Sequence, residues 1–377
     1  MKGQIVRFIF YSPVSFEKWD WRNSVERGIG GSETSHVEMS WRLARRGHEV
    51  ITYAPIPDDC PNEWRNTKWF PIEKVDWSLE GIWILYRCPG AIDKFPIDHS
   101  NQKLWFMMQD WDYLTWTEEH FKKLDKVITL CHWHGKDVLK KHPLIADKMW
   151  ITSNGIKLDL LEQIEFENIE RNPLKIVYAS SPDRGLEPLI KSFKRAKEYI
   201  NDLELHIFYG FDNLDKLPQF KKTSDRLKKI IQTPGVYARG RISQENLYRE
   251  WFSAGLWVYE TNFLETSCIT SMEAQAMGAV PIVHPVGALC ENVNFGIGID
   301  GDAYGDPLIR ARFTAEILRL ATNLELQERI RQEMMPWARA RFDWERMVDQ
   351  WECEAFEIPF SHEFPTQLGK ICFTEKK

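Results

Sequence analysis

Residues 256–283 read LWVYETNFLETSCITSMEAQAMGAVPIV. The apolar run Leu256-Trp257-Val258-Tyr259 has the length and composition of a buried strand. The stretch from about Ile269 to Met277 is read as a helix, Gly278 stands where that helix stops, and Val280-Pro281-Ile282-Val283 is read as the next strand. Glu265 then falls in the loop after the first strand, and Glu273 lies about one and a half turns into the helix. At about 1.5 Å rise per residue, the two acids can grip different parts of one extended ligand whose anionic middle meets the helix N-terminus. Two glutamates with this separation equally fit a solvated helix face, so the rest of the chain has to decide.

Working outward, strand and helix alternate twice. In the first half, strands are expected at Ile5-Tyr11, His48-Tyr53, Ile82-Tyr86, Leu104-Met108 and Lys126-Leu130, with a helix over Glu33-Arg46. In the second half, Leu174-Ala179, Leu205-Tyr209, Leu256-Tyr259 and Val280-Val283 are the expected strands, and helices are expected at about 185–199, 243–254 and 269–277. This is an α/β pattern of two doubly wound, Rossmann-like domains with a ligand cleft between them. A chain of 377 residues suits two domains. The polar run 162–173, ending in Pro173 ahead of a new strand, is the expected linker. It separates an acceptor-side domain over 1–170 from a ligand-binding domain over 171–344.

Composition excludes several classes. With 43% hydrophobic and 28% charged residues and no stretch near 18–20 uninterrupted apolar residues, the chain does not read as an integral membrane protein. The start MKGQIVRFIFYS has no small-residue cleavage site and runs straight into a strand, so it is not read as a signal peptide and the expected location is cytoplasmic. Seven cysteines without a CxxC pair suggest neither zinc nor a disulfide framework, and His132 and His134, two apart at a helix start, point in different directions; no metal is expected. A net charge of -6 without a long basic stripe argues against duplex nucleic acid as a partner.

Three further stretches carry chemistry. Gly28-Ile29-Gly30-Gly31-Ser32-Glu33 opens the first helix: Gly30 and Gly31 allow close backbone approach to a ligand, and Ser32 can cap a helix whose N-terminus attracts phosphate. A dinucleotide fingerprint is not satisfied, because GxGxxG is absent and about twenty residues separate strand from glycines. Tyr178-Ala179-Ser180-Ser181-Pro182-Asp183-Arg184-Gly185 leaves the first strand of the second half, where Arg184 can stabilise negative charge; a surface arginine at a helix start is the plain alternative. Gln109 and Asp110 end the strand Leu104-Met108, at the carboxyl edge where open α/β sheets bind ligands.

The Glu, seven residues, Glu spacing followed by Met277-Gly278-Ala279-Val280-Pro281-Ile282-Val283 resembles the donor-site motif of retaining GT-B glycosyltransferases, especially family 4 (GT4). GIGGSE with Arg45-Arg46-Gly47-His48-Glu49-Val50 is similar to that family's N-terminal pattern, and 340–347 to its final helix, which from about 345 packs back onto the first domain. The resemblance implies a hexose moved from a UDP- or GDP-sugar to a glycan, lipid or protein-linked acceptor, with no cofactor or metal and with domain closure excluding water. It implies Glu265 on the transferring sugar, Glu273 on the ribose, the amides of Ser267, Cys268 and Ile269 with Gly30, Gly31, Ser32 and Ser181 around the diphosphate, and Arg184 as charge compensation. Arg241 flanks the base; Gln109, standing where the family often has His, and Asp110 face the sugar. The family's usual Gly-Phe-Gly after the first Glu is Thr266-Ser267-Cys268 here, and a serine, Ser180 or Ser181, stands where the first of its two cations falls.

Seventeen tryptophans are many for this length, and Trp19, Trp21, Trp111 and Trp116 fall in expected loops, where they can stack on an acceptor glycan or simply pack in the core. Two other readings stay open. One is a GT-B enzyme of different chemistry, such as a phosphorylase or epimerase. The other is a weakly active or inactive nucleotide-sugar or glycan-binding protein, for which the Gln109 and Ser180 departures speak. Peripheral contact with a membrane is compatible with either.

Overall fold

The first eight strands are β1 (Arg7–Tyr11), β2 (Glu49–Ala54), β3 (Glu63–Trp64), β4 (Thr67–Pro71), β5 (Gly81–Tyr86), β6 (Gln102–Met107), β7 (Lys126–Thr129) and β8 (Met149–Ile151). A computed structural model describes residues 5–111 and 115–360. These strands form one sheet in the order β3-β4-β2-β1-β5-β6-β7-β8, parallel except for the β3-β4 hairpin. Side chains alternate between its faces, so Ile9, Trp83, Leu85, Leu104 and Phe106 build one apolar layer and Phe8, Phe10, Ile84, Tyr86 and Trp105 the other. The second layer is closed by Met39 and Leu43 of the helix Gly31–Arg45 and by Trp344, Met347, Val348 and Trp351 of the helix Trp344–Ala355.

Charge holds that last helix in register. Glu345 accepts from Arg42 at 2.8 Å, Arg46 reaches Asp349 at 2.5 Å and Glu352 at 2.6 Å, and His48 meets Glu352 at 2.9 Å. One compact unit therefore comprises the chain up to Gly155 together with the residues from Asp343, and the other runs from Ile156 to Phe342.

The polar run expected as a linker is built into the second unit instead. Leu158–Glu165 is a helix whose Leu161 and Ile164 are buried, and Asn172 already belongs to a strand. Two apolar residues one turn apart suffice to seat an otherwise polar helix, which composition alone does not reveal.

The second unit contains β9 (Asn172–Tyr178), β10 (Glu204–Phe208), β11 (Val236–Gly240), β12 (Ala254–Tyr259), β13 (Val280–Val283) and β14 (Ile297–Gly298). Their order is β11-β10-β9-β12-β13-β14, all parallel. The direction of winding reverses between β9 and β12, as it does between β1 and β5 in the first sheet. Such a reversal opens a crevice at the carboxyl ends of the two strands, because the loops that follow them turn to opposite faces.

Candidate functional site

β9 and β12 end in tyrosines whose rings lie 6.0 Å apart, and each tyrosine props the loop that follows its own strand. Tyr178 donates its hydroxyl to the carbonyl of Ser181 at 2.7 Å, with the Arg184 carbonyl at 3.1 Å; the Arg184 amide closes a turn on Ser181 at 2.9 Å. Tyr259 donates to Glu265 Oε1 at 2.7 Å. Between them, Arg184 Nη1 lies 3.4 Å from both carboxylate oxygens of Glu265, and its guanidinium sits 3.9 Å over the Phe263 ring.

The close approach of these loops needs glycine. A Cβ on Gly185, at φ 105°, would lie 2.8 Å from the Glu260 carbonyl, and one on Gly287, at φ 57°, would lie 2.6 Å from the carbonyl of Glu265. That same carbonyl accepts from the Ala288 amide at 2.7 Å, so the backbone of Glu265 is pinned from both sides. Burial opposes charge on Arg184, but Glu265, Tyr259 and Asp183 outweigh it and push its pKa up. Arg184 stays charged, and it keeps 36% of its side chain exposed against 9% for Glu265.

The helix Ile269–Ala276 starts beside this pair. Cys268 is its N-cap and takes φ 68°, a left-handed conformation that a side chain disfavours. Asn292 donates to the Ser267 carbonyl, and since peptide planes are trans the Cys268 amide faces the opposite way. The first amides of a helix have no acceptor within it, and Ser267 Oγ is buried without a partner among the described residues. Glu273 is buried on this helix, and Gln244 donates to its Oε1 at 2.5 Å. Burial pushes its carboxyl up to about 7, against the Gln244 bond and the charge of Lys157. At the ends of β10 and β11, Arg241 lies over the Tyr209 ring at 5.2 Å.

Ser181 is less available than its sequence position suggests, because its hydroxyl is spent on Asp183 at 2.5 Å.

The switch point of the first sheet holds a cation that the sequence reading missed. Arg87 follows β5 with φ 51°, and donates to the Val14 carbonyl at 2.6 Å and to Glu33 at 3.0 Å; Asp110 lies 3.9 Å away. Its place directly after an apolar strand is the signal that was there to be used. Gln244 and Asn292 were missed for a different reason, since each acts through a contact distant in sequence, and Tyr178 and Tyr259 because the folded loop after each strand brings its partner back onto the ring.

Three expectations change. Ser32 does not cap its helix: Gly30, at φ -64° and ψ 161°, is the N-cap, so Ser32 is already inside the first turn and makes no capping bond. Trp19 is fully buried, edge-on to Trp69 and His36, and has no face for a glycan. Trp116 is buried against Phe106 and Phe121. Trp21, stacked on Trp64 at 4.9 Å, and Trp111, edge-on to Trp133, are only partly covered.

Among the described residues, no group of three or more His, Cys, Asp or Glu is placed to hold a metal ion, and no helix is long and apolar enough to cross a membrane. No protein-family model matches the sequence. Over 190 residues the chain is 24% identical to the lipopolysaccharide 1,2-N-acetylglucosaminetransferase of Salmonella typhimurium, a match that spans 49% of each protein. Among solved structures it is similar to a glycosyltransferase from Rickettsia africae, at a TM-score of 0.69 and 14% identity over 96% of this chain and 100% of the other. It is also similar to Anabaena Alr3699/HepE in complex with UDP and glucose, at a TM-score of 0.65 and 12% identity over 94% and 100%.

Proposed function

We propose that this chain, which has the GT-B fold and is GT4-like, is a retaining, metal-independent glycosyltransferase that moves a hexose from a nucleotide-diphosphate donor to a glycan, lipid or protein-linked acceptor. The observation that carries the reading is the meeting of Arg184 and Glu265 at the carboxyl ends of the two strands bordering the switch point, beside the start of the helix that bears Glu273. A nucleotide lies across such a crevice in doubly wound sheets, and a helix N-terminus accepts its phosphates.

In this reading Glu273 holds the ribose hydroxyls, and the amides of Ser267, Cys268 and Ile269 with the buried Ser267 hydroxyl hold the diphosphate. Arg184 leaves Glu265 to neutralise charge on the departing phosphate, and Glu265 contacts the sugar. The bond from the sugar carbon to the phosphate oxygen breaks as the bond to the acceptor oxygen forms on the same face, and the acceptor's proton passes to the leaving phosphate. Arg241 and Tyr209 flank the base, and Gln109 and Asp110 belong to the acceptor-side unit, which works in the cytoplasm. UDP-sugars are the first donors to try, given the UDP and glucose of the Anabaena protein and the N-acetylglucosamine transfer named for the Salmonella one.

The departures at Gln109 and Ser180 favour one competing reading, a protein that binds a nucleotide sugar without transferring it. A thermal-shift and hydrolysis screen against UDP-, GDP-, ADP- and CMP-sugars separates the two. Transfer predicts stabilisation by one nucleotide series, weakened in Glu273→Ala, with slow donor hydrolysis that disappears in Arg184→Ala. Stabilisation without hydrolysis indicates the binding protein, and no stabilisation by any donor refutes the site.

A further inference from the structure

Two donors of different kinds hold the Glu265 carboxylate. Arg184 is a cation at 3.4 Å from both oxygens, longer than most hydrogen bonds between such groups. Tyr259 is a neutral phenol at 2.7 Å, the usual length for O–H···O. The Tyr259 ring is wholly buried, stacked on Trp257 at 5.6 Å and packed beside Tyr178, so the hydroxyl has one position. Arg184 retains a third of its surface and is free on that side to turn.

We propose that Tyr259 is a positioning residue for the transfer: it fixes Glu265 so that the carboxylate stays in place when Arg184 exchanges it for the donor diphosphate. The inference rests on the donor-site reading above. An anionic diphosphate competes for a guanidinium far more strongly than for a neutral phenol. Burial, with the charge of Glu265 beside it, pushes the Tyr259 pKa well up, so the phenol remains an O–H donor at working pH. Glu265 is buried, and a buried carboxylate that lost its cation with no second donor would swing in search of another. The division of labour is between a cation that moves and a phenol that does not.

Tyr259→Phe removes one oxygen atom and tests this. In an active enzyme kcat falls about 10- to 100-fold, the worth of a hydrogen bond to a charged group. The Kd for the sugar-free nucleoside diphosphate stays within about twofold, because Glu273, Arg184 and the helix amides are untouched. In a Glu265→Gln background the same substitution has no further effect on kcat, since Tyr259 acts through Glu265. A kcat within about twofold of wild type, an equal loss of nucleotide affinity, or a further tenfold or greater loss in the Glu265→Gln background overturns the proposal. So does a Tyr259→Phe chain that fails to unfold cooperatively, because the hydroxyl then serves the fold. Wild type without turnover on any donor overturns the transferase reading and this inference together; normal turnover in Tyr259→Phe overturns the inference alone.

Discussion

Each of the two sheets sets an arginine near the carboxyl end of a strand bordering its switch point, and each arginine meets a glutamate, yet they are held in different ways. Arg87 bonds the Val14 carbonyl at 2.6 Å and Glu33 at 3.0 Å, with 15% of its side chain exposed. Arg184 has only long contacts to Glu265, at 3.4 Å, a ring beneath it, and more than twice the exposure. A guanidinium satisfied by short bonds ties loops together; one with slack contacts and an open side can change partners. The difference fits Arg87 to a role in the fold and Arg184 to the charge-compensating role proposed for it.

Arg184→Ala is expected to slow transfer by about 100-fold or more, roughly 3 kcal/mol of lost charge stabilisation, with unfolding free energy changed by about 1 kcal/mol or less because the Tyr259 hydroxyl still holds Glu265. Steady-state kinetics and denaturant unfolding on the same preparation check both halves. Arg87→Ala is expected to do the reverse, lowering unfolding free energy by about 2–4 kcal/mol because Glu33 is left buried without its cation. Equal losses of stability in the two variants would erase the distinction.

A smaller effect probes the cost of the second unit's site. Burial raises the Glu273 carboxyl from 4.5 to about 7 in the folded chain. A folded-state pKa above the unfolded one means that stability is fully present below about pH 4.5 and lost as pH rises through 7. Glu273→Gln does not titrate, so it should match wild type near pH 5 and exceed it by roughly 2–3 kcal/mol at pH 8 without ligand. Chemical denaturation at the two pH values measures this, and a pH-independent difference would refute it. The smallest effect concerns Cys268 at φ 68°. Replacing it with Gly should change stability by about 1 kcal/mol or less, since released backbone strain offsets the lost thiol packing. Cys268→Val should cost more than about 1 kcal/mol, because a branched side chain tolerates that backbone worst. Thermal unfolding of the pair gives the order.

Sequence alone determined most of the strands and four of the helices between them, because a parallel strand buried on both faces must be apolar throughout and an apolar run such as Leu256-Trp257-Val258-Tyr259 leaves few alternatives. It missed β3, β4, β8, β11 and β14, which are short or lie at or next to an edge; β11, with three of five residues exposed, carries no apolar pattern to read. It marked Glu265, Glu273 and Arg184 because spacing along the chain and the turn after a strand are local facts. Only the tertiary structure decided what holds them. Tyr259 on Glu265, Gln244 on Glu273, Asn292 on Ser267 and Arg87 on Glu33 are partners brought from 6 to 54 positions away. The burial that withdraws Trp19 and Trp116 from solvent is likewise a property of the packed unit. Local pattern encodes which element a residue joins, through backbone geometry and hydrophobic period; which side chain it meets there depends on sheet order and loop crossing, and these exist only once the chain has folded.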